Sequence, residues 1–361
     1  MEKKIVIAVG STGGHFFPAL NIARYLKEKY KIESVFLGPI KSKFQNIVRK
    51  ENFSFVNLPI SSACSNMITA ISFYYPSMFK ALFKSFFFLC RTRPKVVIGM
   101  GSFGSFPACM SAYLLRIPLL LHEQNIVSGK ANKFFGKFAK KIFLAFPSSS
   151  FNPGKTLVVG NPIGKFTSNM YKQACYKKFG LDKDKKTLLI FGGSQGAFSL
   201  NMWVTGIFAE LSHFEDWQVI HITGEADYKR VVKEYEKMKM PSVVLPFLFP
   251  MDYAYLISDL AIARGGALSL SELSFWGIPS LIAPYSYAKN DHQKYNALYF
   301  QEKGGAYLLE KMDMRENHAP KILQDLLSSA DKIKEMSDNI KKIMPGDALE
   351  KICEEIYKYV K

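Results

Sequence analysis

The sequence predicts an α/β protein of two Rossmann-like domains that face each other across a cleft. Short apolar runs alternate with helical patterns along the chain, as in parallel sheets covered by helices. Three of these runs lead into glycine turns, at residues 10–14, 99–104 and 192–196. With 361 residues and 48% hydrophobic content, the chain is long enough to bury two cores of ordinary size.

The N-terminal half contains six β-rich runs that predict strands. They are residues 4–9, 34–37, 95–98, 118–121, 142–146 and 157–159. Pro18 suits the first turn of a helix after the first glycine turn, and residues 130–141 predict a basic helix. His122-Glu123-Gln124-Asn125 follows a strand at its carboxyl end, where open α/β sheets bind ligands. We place the domain boundary at Gly160-Asn161-Pro162.

The C-terminal half repeats this pattern. Its predicted strands are residues 187–191, 218–223, 243–247, 260–263, 280–283 and 306–309. The third glycine turn precedes a predicted helix at residues 197–211, and from Ala319 the chain reads as helical to its end.

One stretch, residues 259–297, has the pattern of a complete binding site. Gly265-Gly266 separates a strand from a predicted helix at residues 267–276, and a second strand follows. The start of such a helix presents backbone N–H groups whose partial positive charge favours an anion such as a diphosphate.

Glu272, about one turn inside this helix, indicates which kind of anion binds there. A carboxylate does not help to hold a phosphate, but it accepts the two vicinal hydroxyls of a ribose, which suggests a nucleotide. The spacing Ser269-x-x-Glu272 also fits a capping box that needs no ligand, and on this pair alone the cap is the favoured interpretation.

The loop at residues 10–15 lies where a Rossmann-like unit binds phosphate, but it matches no standard nucleotide motif. It lacks the GxGxxG spacing, the acidic residue for a dinucleotide ribose, and the Lys and Ser/Thr of a P-loop. Its glycines let a backbone come close to a ligand. His15 ends the loop, and a structural and a catalytic interpretation of it are equally open.

Positive charge is concentrated in the first half of the chain. The net formal charge is +18, and residues 1–162 hold 22 Lys and Arg against five Glu and no Asp. Such a field attracts nucleic acid, an anionic membrane surface or a polyanionic substrate.

The five cysteines form no CxxC pair and the six histidines show no metal-ligand spacing. We therefore expect a reducing compartment and no metal site, and, since the first apolar run is too short for a signal peptide, a cytosolic protein.

Residues 67–90 are rich in aromatic and aliphatic side chains and have the length of a membrane span. A proline and two lysines inside the segment argue against spanning and favour an interfacial segment. The candidate membrane residues are Phe79, Phe83, Phe86 and Phe87. The alternative is a buried helix that covers the N-terminal sheet.

No acid/base dyad, Ser-His-Asp set or metal cluster stands out in the sequence. The chemistry therefore depends on anion stabilisation more than on a covalent nucleophile. Transfer of a group from a nucleotide diphosphate fits this description.

Seven motifs resemble, in order and in spacing, the MurG family of N-acetylglucosaminyltransferases of peptidoglycan synthesis. They are STGGHFFPAL, GMGSFGSFP, HEQNIVSGKANK, VVGNP, FGGSQGA, RGGALSLSEL and DHQKYNAL. The resemblance covers almost the whole chain. It implies a GT-B fold and metal-independent, cofactor-free transfer of N-acetylglucosamine from UDP-N-acetylglucosamine, with inversion. The implied acceptor is a lipid-linked muramyl-peptide pyrophosphate, lipid I, and the product is lipid II.

The resemblance carries the family's donor-binding positions onto this chain. They are Thr12, Gly13, Gly14, Asn125, Ser194, Leu248, Ala267, Leu268, Ser269, Leu270, Ser271, Glu272 and Gln293. It implies that Leu248 meets the uracil through its backbone, Glu272 the ribose and Gln293 the sugar. His15 resembles the family's candidate base for the acceptor proton. This resemblance moves the interpretation of Glu272 from cap to ligand.

Two positions depart from the family pattern. Gly164 stands where the family usually has an arginine, so one polar contact to the donor is missing or comes from elsewhere, such as Lys165. Phe103 stands where many members have a tyrosine, which puts a role for a hydroxyl there in doubt.

By the same resemblance, residues 1–162 bind the acceptor and the membrane, residues 163–340 bind the donor, and residues 341–361 form a helix that packs back on the first domain. The implied partners are the nucleotide sugar, the polyprenyl-pyrophosphate-linked acceptor, the anionic inner membrane surface and other cell-wall enzymes, with no nucleic acid. We expect peripheral attachment to the cytoplasmic face of that membrane.

Two other functions compete with this interpretation. A nucleotide-sugar epimerase of the same fold needs neither a lipid nor a strongly basic domain. A non-enzymatic nucleic-acid binder suits the basic half of the chain, but it leaves the glycine turns and Glu272 unexplained.

Overall fold

The computed structural model describes residues 4–60, 74–164, 171–193, 196–208, 211, 214–238, 240–285, 291–309 and 318–361. Contacts divide the chain into two compact units. Unit 1 comprises Met1–Ile163 and Gly346–Lys361, and unit 2 comprises Gly164–Pro345. Each unit contains one parallel sheet flanked by helices, so the predicted α/β class with two Rossmann-like units is confirmed.

Unit 1 is organised around a seven-stranded parallel sheet in the order β3-β2-β1-β4-β5-β6-β7. Its strands are β1 (Lys4–Ala8), β2 (Glu33–Gly38), β3 (Ser54–Asn57), β4 (Val97–Gly99), β5 (Leu119–Glu123), β6 (Lys141–Leu144) and β7 (Thr156–Val158). The central strands are apolar on both faces because helices cover both sides of a parallel sheet. In β1, for example, Ile5, Val6 and Ile7 are all buried.

Within the described residues, five α-helices connect these strands: α1 (Gly13–Tyr30), α2 (Ser42–Lys50), α3 (Tyr75–Thr92), α4 (Phe106–Leu114) and α5 (Lys130–Gly136). Phe16 of α1 stacks on Phe44 of α2 with ring centroids 4.6 Å apart. Helix α3 packs against α4, where the Ser111 hydroxyl oxygen lies 3.5 Å from the carbonyl oxygen of Leu82. Within the described ranges, no helix combines the length and hydropathy that crossing a bilayer requires.

Unit 2 contains a six-stranded parallel sheet in the order β10-β9-β8-β11-β12-β13. Its strands are β8 (Lys186–Phe191), β9 (Trp217–Ile222), β10 (Ser242–Leu245), β11 (Leu260–Ala263), β12 (Ser280–Ile282) and β13 (Ala306–Leu308). The helices are α6 (Lys172–Phe179), α7 (Phe198–Phe208), α8 (Tyr228–Glu236), α9 (Asp252–Tyr255), α10 (Ala267–Trp276), α11 (His292–Glu302), α12 (His318–Leu327) and α13 (Ala330–Ile340).

The last helix, α14 (Ala348–Lys358), belongs to unit 1 and packs on α1. Tyr357 stacks on Tyr30 with ring centroids 4.3 Å apart. Lys29 forms an ion pair with Glu350 at 2.7 Å. Aromatic stacking and a short ion pair therefore attach the end of the chain to the first helix of the unit.

Two expectations from the sequence are corrected, and one strand is added. The helix predicted at residues 130–141 ends at Gly136, where the missing Cβ leaves room for the ring of Phe151. The continuous C-terminal helix is three helices, because Ser329 caps the start of α13 and Pro345-Gly346 interrupts the chain before α14. The sequence also does not predict β3, whose residues are only partly buried or exposed and show no core pattern.

Candidate functional site

Unit 1 has a topological switch point between β1 and β4, because the chain runs outward from β1 to β3 and then returns to β4. Open α/β sheets bind ligands at the carboxyl ends of strands at such a point. The glycine turns that follow these two strands touch each other. A Cβ at Gly10 would lie 2.6 Å from Ser102 Oγ and 3.3 Å from the His15 ring, so only glycine permits this packing.

His15 is oriented by the residue that precedes its helix. Its Nδ1 lies 2.8 Å from the hydroxyl of Thr12, the N-cap residue of α1, whose side chain makes no capping hydrogen bond. When Nδ1 carries the proton and donates to Thr12, Nε2 keeps the lone pair that can accept a proton. The Nε2 side of the ring faces the second glycine turn, since a Cβ at Gly101 would lie 3.6 Å from Nε2. The Thr12 hydroxyl therefore fixes the orientation of the imidazole ring.

Glu123 organises the loop after β5. One carboxylate oxygen accepts the amide of Asn125 at 3.1 Å, and the other accepts the amide of Gly129 and the side-chain amide of Asn132, both at 2.9 Å. The buried carboxylate therefore fixes the loop that carries Asn125, a predicted donor contact. The neighbouring His122 is fully buried, and desolvation lowers the pKa of its imidazole to about 4, so it is neutral at physiological pH.

Unit 2 has the equivalent switch point between β8 and β11. The predicted strand, glycine turn and helix after residue 259 all form, and Gly266 is the N-cap of α10. Since glycine has no side chain, the N-cap residue does not offset the partial positive charge of the helix N-terminus. A Cβ at Gly265 would overlap the carbonyl oxygen of Gln293, so this glycine allows the start of α11 to approach. The side-chain oxygen of Gln293 accepts the amide of Tyr285 at 2.9 Å.

The capping-box interpretation of Glu272 is wrong. Helix α10 begins two residues before Ser269, which therefore does not occupy the N-cap position. One Glu272 oxygen instead accepts a hydrogen bond from the buried hydroxyl of Tyr255 at 2.9 Å. Desolvation raises the pKa of Glu272 to about 7, although this hydrogen bond opposes the shift, and Asp252 adds to it. The second carboxylate oxygen makes no hydrogen bond to the described part of the chain and is available to a ligand hydroxyl.

Most of the other predicted donor contacts in α10 can reach a ligand only through the backbone. Ala267, Leu268 and Leu270 are buried, and the Ser271 hydroxyl donates to the carbonyl of Ala267 at 2.8 Å. Ser269 is partly exposed. A helix N-terminus recognises anions through its backbone amides, so buried apolar side chains are compatible with that function.

The predicted site residues fall into two groups, one in each unit. Those of unit 1, near the carboxyl ends of β1 and β5, are Thr12, Gly13, Gly14, His15 and Asn125. Those of unit 2, which follow β10, β11 and β12, are Leu248, residues 267–272 and Gln293. Ser194 lies outside the described residues, as does Lys165.

Two residues of unit 2 that lie beside the predicted donor contacts, Arg264 and Tyr255, are not predicted from the sequence. Arg264 lies directly before the glycine turn, and a charged residue at the end of a buried strand is the signal that identifies it. No local signal marks Tyr255, because the fold brings it to Glu272 from another helix.

Family models match most of the chain. Residues 5–144 match the glycosyltransferase family 28 N-terminal domain, and residues 187–351 match the family 28 C-terminal domain. A relative from Thermodesulfovibrio yellowstonii is 33% identical over 337 residues, which cover 92% of each chain. Another, from Acetivibrio thermocellus, is 29% identical over 363 residues, which cover 99% of this chain and 98% of the relative. Both are named UDP-N-acetylglucosamine–N-acetylmuramyl-(pentapeptide) pyrophosphoryl-undecaprenol N-acetylglucosamine transferase.

Solved structures share the fold over the full length. The crystal structure of Acinetobacter baumannii MurG superposes with a TM-score of 0.72 at 25% identity and covers 99% of both chains. A putative UDP-N-acetylglucosamine 2-epimerase from Listeria monocytogenes reaches 0.71 at 13% identity, over 99% of this chain and 97% of that one. At 13% identity the likeness concerns the fold alone, so the fold by itself does not separate a transferase from an epimerase.

Proposed function

This chain belongs to the MurG family of family 28 glycosyltransferases, and we propose that it catalyses the reaction for which its relatives are named. It transfers N-acetylglucosamine from UDP-N-acetylglucosamine to the N-acetylmuramyl-peptide that is linked by pyrophosphate to undecaprenol, and so converts lipid I into lipid II. The observation that carries the proposal is 33% identity over 92% of both chains, with the two family 28 domains in order. The family and the GT-B fold predicted from the motifs are confirmed.

In the proposed reaction a hydroxyl of the acceptor sugar attacks the anomeric carbon from the face opposite the diphosphate. The new glycosidic bond forms as the bond to UDP breaks, which inverts the anomeric configuration. His15 Nε2 accepts the proton of the attacking hydroxyl. The diphosphate gains one negative charge as it leaves, and the N-terminus of α10 stabilises that charge.

The donor is assigned mainly to unit 2. The open oxygen of Glu272 accepts the ribose hydroxyls, the backbone of Leu248 meets the uracil, and Gln293 meets the sugar. In unit 1, residues 12–14 and Asn125 complete donor binding, while the remainder of that unit binds the acceptor. The Glu272 carboxylate supports this assignment, because it is held by Tyr255 with one oxygen open.

The reaction is tested by supplying labelled UDP-N-acetylglucosamine with membranes that contain the acceptor. We expect label in the lipid fraction, and none when the membranes are depleted of acceptor. An epimerase would instead convert the labelled nucleotide sugar to its epimer without any lipid, and that result would replace the transferase assignment.

Turnover is expected to survive metal chelation. The N-terminus of α10 provides fixed positive potential where many transferases place a divalent cation, so EDTA should change kcat by less than about two-fold. The measurement is the initial rate with EDTA and after magnesium is added back. Loss of activity in EDTA with recovery in magnesium would contradict this account.

Helix α3 presents a row of aromatic rings to solvent. Phe79, Phe83 and Phe87 are 64%, 56% and 66% exposed, and each lies four residues from the next. Neighbouring ring centroids in the row are 6.0 and 6.4 Å apart. The buried positions of the same helix are Ala81, Ser85 and Leu89. Exposed aromatic rings on one face of a helix are typical of an interfacial segment.

Basic side chains accompany these rings. The exposed ones on α3 and directly after it are Lys80, Lys84, Arg91, Arg93 and Lys95. Exposed lysines of α5 and the following turn, including Lys130, Lys133 and Lys137, accompany the half-exposed rings of Phe134 and Phe138. We infer that unit 1 attaches peripherally to the anionic cytoplasmic face of the membrane, where basic residues and aromatic rings act together.

Replacing Phe79, Phe83 and Phe87 with serine is expected to weaken binding to anionic vesicles by at least about ten-fold. The reason is that each ring contributes about 1 kcal/mol when it becomes buried in the membrane interface. High salt should also release much of the wild-type protein. Phe86 is kept because it is partly buried and contacts Phe87 edge-on.

The matched control replaces Tyr171 and Tyr307, exposed aromatic residues of unit 2, with serine and should bind normally. Circular dichroism confirms that each variant is folded. A wild-type protein that resists both high salt and alkaline carbonate would be integral, and the peripheral model would be abandoned.

A further inference from the structure

Arg264 is a buried arginine whose charge is not balanced by any carboxylate among the described residues. It is 8% exposed and directly follows β11. Its Nη1 donates to the carbonyl oxygens of Ala283 and Pro284 at 2.8 and 3.3 Å, and its Nη2 donates to the Ser199 hydroxyl at 2.5 Å. All three acceptors are neutral, and within the described chain Nε has no hydrogen-bond partner.

The guanidinium keeps its charge in this environment. Burial lowers the pKa of Arg264 from its ordinary value, but a guanidinium remains protonated at neutral pH. A buried charge without a partner destabilises the ligand-free fold unless a bound anion supplies the missing negative charge.

The position of Arg264 indicates which anion that is. Its side chain joins three segments at the carboxyl edge of the unit 2 sheet: the turn at Gly265-Gly266, the end of β12, and the first turn of α7 through Ser199. Helix α7 follows β8 and Arg264 follows β11, so the guanidinium lies at the carboxyl ends of the two strands that flank the switch point. The N-terminus of α10 adds positive potential at the same edge.

We propose that Arg264 is the counter-charge of the donor's diphosphate, so that bound nucleotide completes an ion pair which the ligand-free protein leaves half-formed. This inference rests on the donor site proposed above for unit 2. It also gives Arg264 an effect on the reaction itself. The diphosphate gains one negative charge as the glycosidic bond to UDP breaks, and a fixed cation interacts more strongly with the leaving group than with the intact donor.

The experiment compares uridine, UMP and UDP, which share one nucleoside and differ in phosphate charge. Calorimetry on Arg264→Gln is expected to show about a ten-fold or greater fall in UDP affinity, a smaller fall for UMP and little change for uridine. Arg264→Lys keeps the charge but loses the planar set of donors, so UDP affinity should fall less than in Arg264→Gln, and uridine affinity should stay near that of the wild type. The matched control is Arg230→Gln, an exposed arginine of the same unit that lies over the Phe198 ring.

Thermal unfolding separates this function from a structural one. The rise in Tm that UDP causes should shrink in Arg264→Gln, whereas the rise that uridine causes should stay near that of the wild type. Equal losses of affinity for uridine and for UDP would show that Arg264 has only a structural role and would overturn the proposal. If the glutamine variant does not fold, the lysine variant decides, since equal losses of uridine and UDP affinity in that variant also overturn the proposal. If the wild-type protein binds none of the three ligands, the proposed donor site itself is refuted.

Discussion

Replacing His15 with alanine is expected to lower kcat by about 10²- to 10⁴-fold while it leaves donor affinity nearly unchanged, because the variant loses the proposed base for the acceptor hydroxyl. The expectation depends on geometry in unit 1, where the ring lies against both glycine turns and its Nδ1 is 2.8 Å from the Thr12 hydroxyl. The measurements are kcat at saturating concentrations of both substrates and donor affinity by calorimetry.

Thr12 offers the control for this prediction. Thr12→Ser keeps the hydroxyl that accepts from Nδ1, whereas Thr12→Val removes it and leaves the ring free to place its proton on Nε2. We expect the serine variant to approach wild-type kcat and the valine variant to lose about ten-fold. A His15→Ala enzyme with kcat within about three-fold of wild type would exclude His15 as the base and return it to a packing role.

The sequence predicts the elements of the unit 2 site well because strong local signals mark them. The strand at residues 260–263 and the helix at residues 267–276 have the bounds of β11 and α10. An apolar run fixes the strand, Gly265-Gly266 interrupts it, and Gly277 ends the helix in the left-handed conformation that glycine adopts readily. Each of these signals depends on residues that are neighbours in the chain.

The partners of the site residues are not predictable in the same way. Tyr255 donates to Glu272 from a different helix, seventeen positions earlier in the chain. The Ser269-x-x-Glu272 spacing also misleads, because the N-cap of the helix is Gly266. The chain turns there, where the start of the next helix, at Gln293, approaches Gly265 closely. Tertiary contacts of this kind override a local capping pattern.

The contacts between the glycine turns of unit 1 are also not predictable from the sequence. Their positions follow from the sequence, but their contact with each other does not, since Gly10 and Ser102 come from turns after different strands. The three hydrogen bonds that Glu123 accepts likewise bring together β5, the following loop and α5. Such a cluster becomes visible only when the strand order is known.

Donor binding is expected to strengthen as the pH rises from about 6 to about 8, by about ten-fold, because only ionised Glu272 accepts both ribose hydroxyls. The carboxyl has a pKa of about 7 in the ligand-free protein, against an ordinary value of 4.5, mainly through desolvation. Since the folded pKa is raised, the native state binds this proton more tightly than the unfolded chain. The resulting contribution to stability is complete below about pH 4.5 and is lost as the pH rises through about 7.

Glu272→Gln tests this assignment directly. Loss of a charged acceptor should weaken donor binding at about pH 8 by about 1.5–3 kcal/mol and remove the pH dependence. UDP-N-acetylglucosamine is the appropriate ligand, because its doubly esterified diphosphate does not titrate in this range. Uridine should lose as much affinity as UDP, in contrast to Arg264→Gln, since Glu272 contacts the ribose and Arg264 the phosphates.

The Tm of ligand-free Glu272→Gln separates binding from folding. It should not fall at about pH 8, because the helix carries no capping box and the substitution removes a desolvated charge. Tyr255→Phe is the companion variant. It removes the hydrogen bond that lowers the pKa of Glu272, so the rise in donor affinity should move to higher pH. Donor affinity that is independent of pH in the wild type and equal in Glu272→Gln would show that this carboxyl does not bind the ribose.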